Sequence, residues 1–192
     1  MMAPESMIAG PPLSALADSE GLPQELLQWM MGTEGLYVYG GVLKRIIDPA
    51  STVPLGDVDV IALDAIVMEF MTERFGIVFR RVNTTITRTP YFIGKAGRGG
   101  GKIIHLALLR SHAQAMRYLM NNQFDIDRLA LSDHRLFCDP NLDLDAVCTA
   151  IRRRRATRVQ GARDITLFAK NRPQIERHYE ARLRRKGYLV ID

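Results

Sequence analysis

The feature that most constrains this chain is a strand-like run, Leu36-Tyr37-Val38-Tyr39, that passes directly into Gly40-Gly41 and a helical stretch, Leu43–Ile47. Sixteen residues after Gly41 a second strand-like run, Asp57-Val58-Asp59-Val60-Ile61-Ala62-Leu63, begins with two carboxylates at i and i+2. Alternation on a strand sends both to one face. Like charges held that close repel unless a cation lies between them. Oxygen donors on a rigid element suit Mg²⁺ that is also shared with substrate phosphates. A Gly-Gly turn opening a helix lets backbone N–H groups approach a phosphate with no Cβ in the way. Together these elements read as a metal-assisted phosphoryl-transfer site, in which a nucleophile is aligned against a triphosphate.

The rest of the chain reads as a mixture of strands and helices without strict alternation. That predicts an α/β (α+β) fold with a mixed sheet and flanking helices. Helices are expected at Leu22–Met31, Ala65–Arg74 and His112–Met120. Strands are expected at Ile77–Arg81, Thr84–Arg88, Tyr91–Ile93, Lys102–Arg110, Ile126–Ser132 and Leu136–Cys138. From Leu142 onward the chain reads as mostly helical and increasingly basic. Residues 1–20 are expected to form a loose tail, residues 21–150 the main domain, and residues 151–192 a basic extension. The glycine-rich link Gly94–Lys102 does not match a P-loop, because Ala96 and Ile103 stand where that motif needs Gly and Ser/Thr.

Charge is distributed unevenly. Residues 151–192 carry 13 Lys and Arg against 4 Asp and Glu, whereas residues 1–150 carry 13 against 17. A basic C-terminal segment beside a mildly acidic body points to a polyanionic partner. Arg152-Arg153-Arg154-Arg155, with Arg158 close behind, is the densest run and the expected RNA contact. No apolar window approaches the length of a membrane span, and no basic-then-apolar leader is seen, so no membrane partner is expected. Two cysteines, Cys138 and Cys148, provide neither a disulfide framework nor zinc spacing, which points to a reducing, cytoplasmic compartment.

The string Gly40-Gly41-Val42-Leu43-Lys44-Arg45 followed by Asp57-Val58-Asp59 resembles the head domain of bacterial-type poly(A) polymerases and tRNA CCA-adding enzymes. These belong to the polymerase-beta-type nucleotidyltransferase superfamily. His105-Leu106-Ala107-Leu108-Leu109-Arg110 is similar to the family strand that reads Glu-Val-Ala-Thr-Phe-Arg. Phe124-Asp125-Ile126-Asp127-Arg128-Leu129-Ala130 is similar to its Phe-Thr-Ile-Asn-Ala-Leu-Ala. Asp139-Pro140 and Leu144–Ile151 continue the likeness, which spans residues 36–155 in order.

The resemblance implies transfer of an NMP from an NTP, ATP or CTP, to a hydroxyl such as the 3′ end of an RNA or tRNA. It implies that Asp57 and Asp59 bind Mg²⁺ or Mn²⁺; His105, opposite the pair, reads as either a further metal ligand or a strand histidine. It places Gly40, Gly41, Lys44 and Arg45 on the triphosphate and Asp127 and Arg128 on the sugar or base. Arg110 would brace the acidic pair or contact phosphate, and residues 151–192 would resemble the family's neck. The sequence departs from the pattern in three places. His105 replaces the strand's acid, Asn121-Asn122-Gln123 replaces Arg-Arg-Asp, and Glu180-Ala181-Arg182-Leu183-Arg184 has Ala where the base-reading Glu-Asp-x-x-Arg has Asp. The family's body domain has no counterpart in these residues, so a partner subunit in its place is expected. The alternative is a non-catalytic module that keeps the fold to bind RNA or to dock in an assembly.

Overall fold

The computed structural model describes residues 21–83, 88–96, 101–159 and 173–192. The expected tail at 1–20, most of the run at 84–88 and the glycines at 97–100 lie outside the described residues. Helix α1 (Gln24–Gly32) buries Leu26, Leu27, Met30 and Met31, which recur at helical spacing. Strand β1 (Leu36–Tyr39) then leads through Gly40 into α2 (Gly41–Ile47). Next come β2 (Val58–Ala62) and α3 (Ile66–Phe75), which Gly76 ends in a left-handed turn. Strands β3 (Arg80–Arg81), β4 (Tyr91–Lys95) and β5 (Ile103–Leu108) precede α4 (His112–Met120). Ser111 caps α4 by accepting from the Gln114 N–H. Strands β6 (Leu129–Ser132) and β7 (Arg135–Cys138) form a hairpin before α5 (Leu144–Arg152), which Asp143 caps.

Seven strands make one sheet in the order β3-β4-β5-β2-β1-β6-β7. Only β2 and β5 run parallel; the other neighbours are antiparallel. One face carries Val38, Val60, Leu106 and Leu131 into the main core, beneath α1, α2 and α5. The opposite face carries Tyr37, Ile61, Ala107 and Ala130 against α4, through Ala115, Tyr118 and Leu119. Among the described residues, α4 is the helix packed on that second face. Tyr39, Asp59 and His105 lie in adjacent register across β1, β2 and β5 on the same face.

The C-terminal segment differs from the mostly helical reading. After α5 come β8 (Arg155–Thr157), α6 (Pro173–Arg185) and β9 (Leu189–Ile191), with β8 and β9 paired in parallel. In each three-residue strand one central residue, Ala156 or Val190, is buried between exposed or half-exposed neighbours. So short an alternation is hidden within a basic helical pattern. The expected strand at Ile126–Ser132 likewise begins with a 3₁₀ turn, Asp125–Asp127, because the Asp125 carboxylate accepts from the Ile126 N–H at 2.7 Å and from the Thr157 N–H at 2.9 Å. The main core continues past residue 150 through Ile151, Ala156, Leu183 and Val190. No helix among the described residues is long and apolar enough to cross a membrane.

Candidate active site

Gly40 ends β1 with φ of +70° and ψ of −135°, a conformation that costs other residues about 1–3 kcal/mol. A Cβ at this position would lie 2.6 Å from Asp59 Oδ2, so the turn and the carboxylate meet only because residue 40 has no side chain. Replacing Gly40 with Ala is expected to destabilise the fold by about 1–3 kcal/mol and to displace Asp59. Urea unfolding measures the first effect, and a crystal structure of the variant reports the second.

Asp59 is half-buried, and burial is the main reason its carboxyl is pushed up to about 6. Nearby Asp57 pushes in the same direction, while His105, Arg182 and Lys44 oppose it. Asp57 lies one residue before β2 rather than within it. Its side chain is 53% exposed, with Oδ2 3.3 Å from His105 Nε2. The other ring nitrogen of His105 is 2.8 Å from the Tyr91 hydroxyl. His105 is thus held between a carboxylate and a phenol. No three His, Cys, Asp or Glu side chains converge on a metal centre among the described residues. The donor set is two carboxylates, one half-buried beside the glycine turn and one exposed. That set fits a Mg²⁺ or Mn²⁺ ion that takes its remaining ligands from substrate phosphates and water, not a preformed cage.

Asp59 and the Gly40-Gly41 turn line a cleft of about 220 Å³. Lys44, on α2, reaches across it to the Asp127 carboxylate, and both are largely buried. The Tyr179 hydroxyl lies 2.8 Å from each oxygen of the same carboxylate and donates to it. Asn122 Nδ2 donates to the Asp127 carbonyl at 2.9 Å, which fixes the turn from below. Arg45 donates to the Val53 carbonyl and ties the loop at residues 48–57 along the cleft's rim.

The far wall was not legible from the motifs. It is built by α6 and the turn after it: Tyr179, Arg182, Leu183 and Lys186, followed by Tyr188. The first four recur at i, i+3, i+4 and i+7, the spacing of one helical stripe. That periodicity was the available signal, masked by the density of cations around it.

Several expected site residues lie elsewhere. Arg110 is a correction: β2 and β5 run parallel with His105 opposite Asp59, so Arg110 sits five residues further on, about 16 Å along the sheet and exposed. Arg128 is buried with its guanidinium on Asp139 at 2.6 Å and on the Asn122 carbonyl at 2.8 Å, so it braces the turn behind Asp127 and is not among the residues lining the cleft. Arg158 pairs with Glu180 at 2.7 Å and Asp192 at 3.0 Å, and stacks over Phe124. Arg152 donates to the Ile47 carbonyl and Arg154 to the Ser51 hydroxyl, whereas Arg153 and Arg155 point to solvent.

The same arrangement of sheet, turn and helices occurs in solved structures. The Thermotoga maritima CCA-adding enzyme complexed with tRNA-CCA matches 97% of this chain and 44% of its own, with a TM-score of 0.58 and 14% identity. Structures of CCA-adding enzyme with ATP and with CTP match at TM-scores of 0.57 and 0.55, again at 14% identity, over 97% of this chain and 43% of theirs. The fold is the one these CCA-adding enzymes have over the matched part of their chains. At such identity the likeness is one of fold, and the chain spans less than half the length of these enzymes. No protein-family model and no curated protein matches the sequence. In this chain Gly40 and Asp59 meet at one end of the sheet, and the α6 stripe lines the cleft with them.

Proposed function

We propose that this chain transfers an NMP from an NTP, ATP or CTP, to a hydroxyl, with an RNA 3′ end as acceptor. The observation that carries this reading is the contact between Gly40 and Asp59 in a cleft whose walls hold Lys44, Arg182 and Lys186. Asp59 and the exposed Asp57 would hold Mg²⁺ or Mn²⁺, which when bound would supply Lewis-acid charge to the α-phosphate. The Gly40-Gly41 turn gives the phosphates close approach to backbone. The acceptor oxygen attacks the α-phosphorus as the bond to pyrophosphate breaks, and the cationic walls neutralise the charge that develops on the leaving group. Asp127, oriented by Lys44 and Tyr179, faces the same space and is placed to meet the sugar or base.

Incubation with each labelled NTP, Mg²⁺ or Mn²⁺ and mixed RNA tests the reading. Transfer of label to RNA is expected; its absence with every NTP and both metals would overturn catalysis. The second reading, a non-catalytic nucleotidyltransferase-fold module working with a partner subunit, draws on the engagement of His105 by both Asp57 and Tyr91. That reading expects nucleotide or RNA binding without transfer.

In this proposal residues 151–192 act as a neck-like extension beside the head at 21–150, and exposed Arg153 and Arg155 contact RNA phosphates. Replacing both with Ala is expected to reduce the slope of log affinity against log salt by about 0.7 per lost contact on single-stranded RNA. Affinity should fall regardless of sequence. Equal slopes for variant and wild type would place RNA elsewhere on the surface.

A further inference from the structure

We propose that Arg182 and Lys186 form, with Lys44, the grip on the polyphosphate of the incoming nucleoside triphosphate. The inference rests on the proposed nucleotide-transfer function and assigns part of that cleft to a defined portion of the substrate. Arg182 and Lys186 stand four residues apart, one turn of helix, so both side chains leave the same face. Leu183 on that face is buried in the main core, which sets the helix's rotation and turns its two cations toward the cleft. The Arg182 guanidinium stacks 5.2 Å from the centre of the Tyr179 ring, and that tyrosine is itself anchored on Asp127. Arg182 is therefore positioned by the wall that it decorates.

The charges around the cleft do not balance pairwise. Lys44 is neutralised by Asp127. No carboxylate forms an ion pair with Arg182 or Lys186 among the described residues. The cations crowd one another as well: burial, then Arg182 and Lys44, hold the Lys186 ammonium below its ordinary value. Repelling cations gathered in a concave space, opposite the carboxylates that would share a metal with phosphate, are complementary to a ligand with several negative charges. A nucleoside triphosphate has that charge at one end, whereas a neutral sugar or base does not. Arg additionally presents a planar fork that matches phosphate oxygens in pairs.

The test is calorimetric titration of the full chain with inorganic tripolyphosphate in metal-free buffer. Wild type is expected to bind. Arg182→Gln and Lys186→Gln are each expected to weaken binding about tenfold, the loss of one charge-assisted hydrogen bond. Lys186→Arg should retain binding, which separates charge from folding, and Arg185→Gln, an exposed neighbour outside the cleft, should match wild type. Failure of wild type to bind, unchanged affinity in both Gln variants, or an equal loss in Arg185→Gln would overturn the inference. A parallel titration with a single-stranded oligoribonucleotide lacking a terminal phosphate distinguishes the other source of phosphate. If the Gln variants lose only oligonucleotide affinity, the pair serves the RNA backbone and the inference fails. Label transfer with unchanged tripolyphosphate affinity in the variants would sink this inference alone. Tripolyphosphate binding that depends on the pair, without transfer from any NTP, would sink the catalytic reading and leave the anion site standing.

Discussion

Replacing Asp59 with Asn is expected to lower label transfer by about a thousandfold, equivalent to about 4 kcal/mol of transition-state stabilisation. The substitution keeps the shape that fits against Gly40 while removing the half-buried charge that would hold a divalent cation on the phosphates. It should not unfold the protein. Because burial pushes the Asp59 carboxyl from 3.8 to about 6, ionising it costs the native state more than the unfolded one. The metal-free fold therefore loses stability as pH rises from about 4 to 6, and regains it as pH falls. Asp59→Asn removes this cost. The variant should melt higher than metal-free wild type at pH 7, and the difference should vanish near pH 4. Undiminished transfer by a folded Asp59→Asn protein would place the chemistry elsewhere.

Asp139→Ala is expected to cost about 3–5 kcal/mol in urea unfolding, the usual consequence of leaving a buried partner charge alone. The Asp139 side chain is fully enclosed, and its Arg128 partner is 9% exposed. Burial alone would raise the Asp139 carboxyl, but N–H bonds from Asn141 and the Arg128 guanidinium outweigh it and hold the group below its ordinary value. The stabilisation is therefore present above about pH 4 and is lost as pH falls through the depressed native value. Arg128 also grips the Asn122 carbonyl, and Asn122 grips the Asp127 carbonyl, so the variant should loosen the cleft's Asp127 side. Replacing Arg128 and Asp139 together with apolar residues should recover part of the loss; if the double variant is no more stable than Asp139→Ala, an uncompensated charge is not the cause.

What the sequence determined by itself was local. A strand running into Gly40-Gly41 requires a backbone that other residues resist, and the β-branched run after Asp57 reads as the strand that carries Asp59. Those constraints involve neighbours a few residues apart, so they could be read without knowing what lies across the sheet. Most strands and helices followed for the same reason, their apolar residues recurring at periods of two or 3.6. The tertiary structure decided everything that depends on which element meets which. Parallel pairing of β2 with β5 set His105 beside Asp59 and carried Arg110 to the sheet's other end. A buried carboxylate on Asp139 took up Arg128, and Glu180 and Asp192 took up Arg158, although each arginine reads as an open cation in sequence. The pairing of β8 with β9 and the burial of Leu183 fixed the rotation of α6, so that Arg182 and Lys186 line the cleft while Arg184 pairs with Glu180 away from it. A charge's use depends on the partner and the solvent around it, and both are set by contacts between distant segments that local periodicity does not encode.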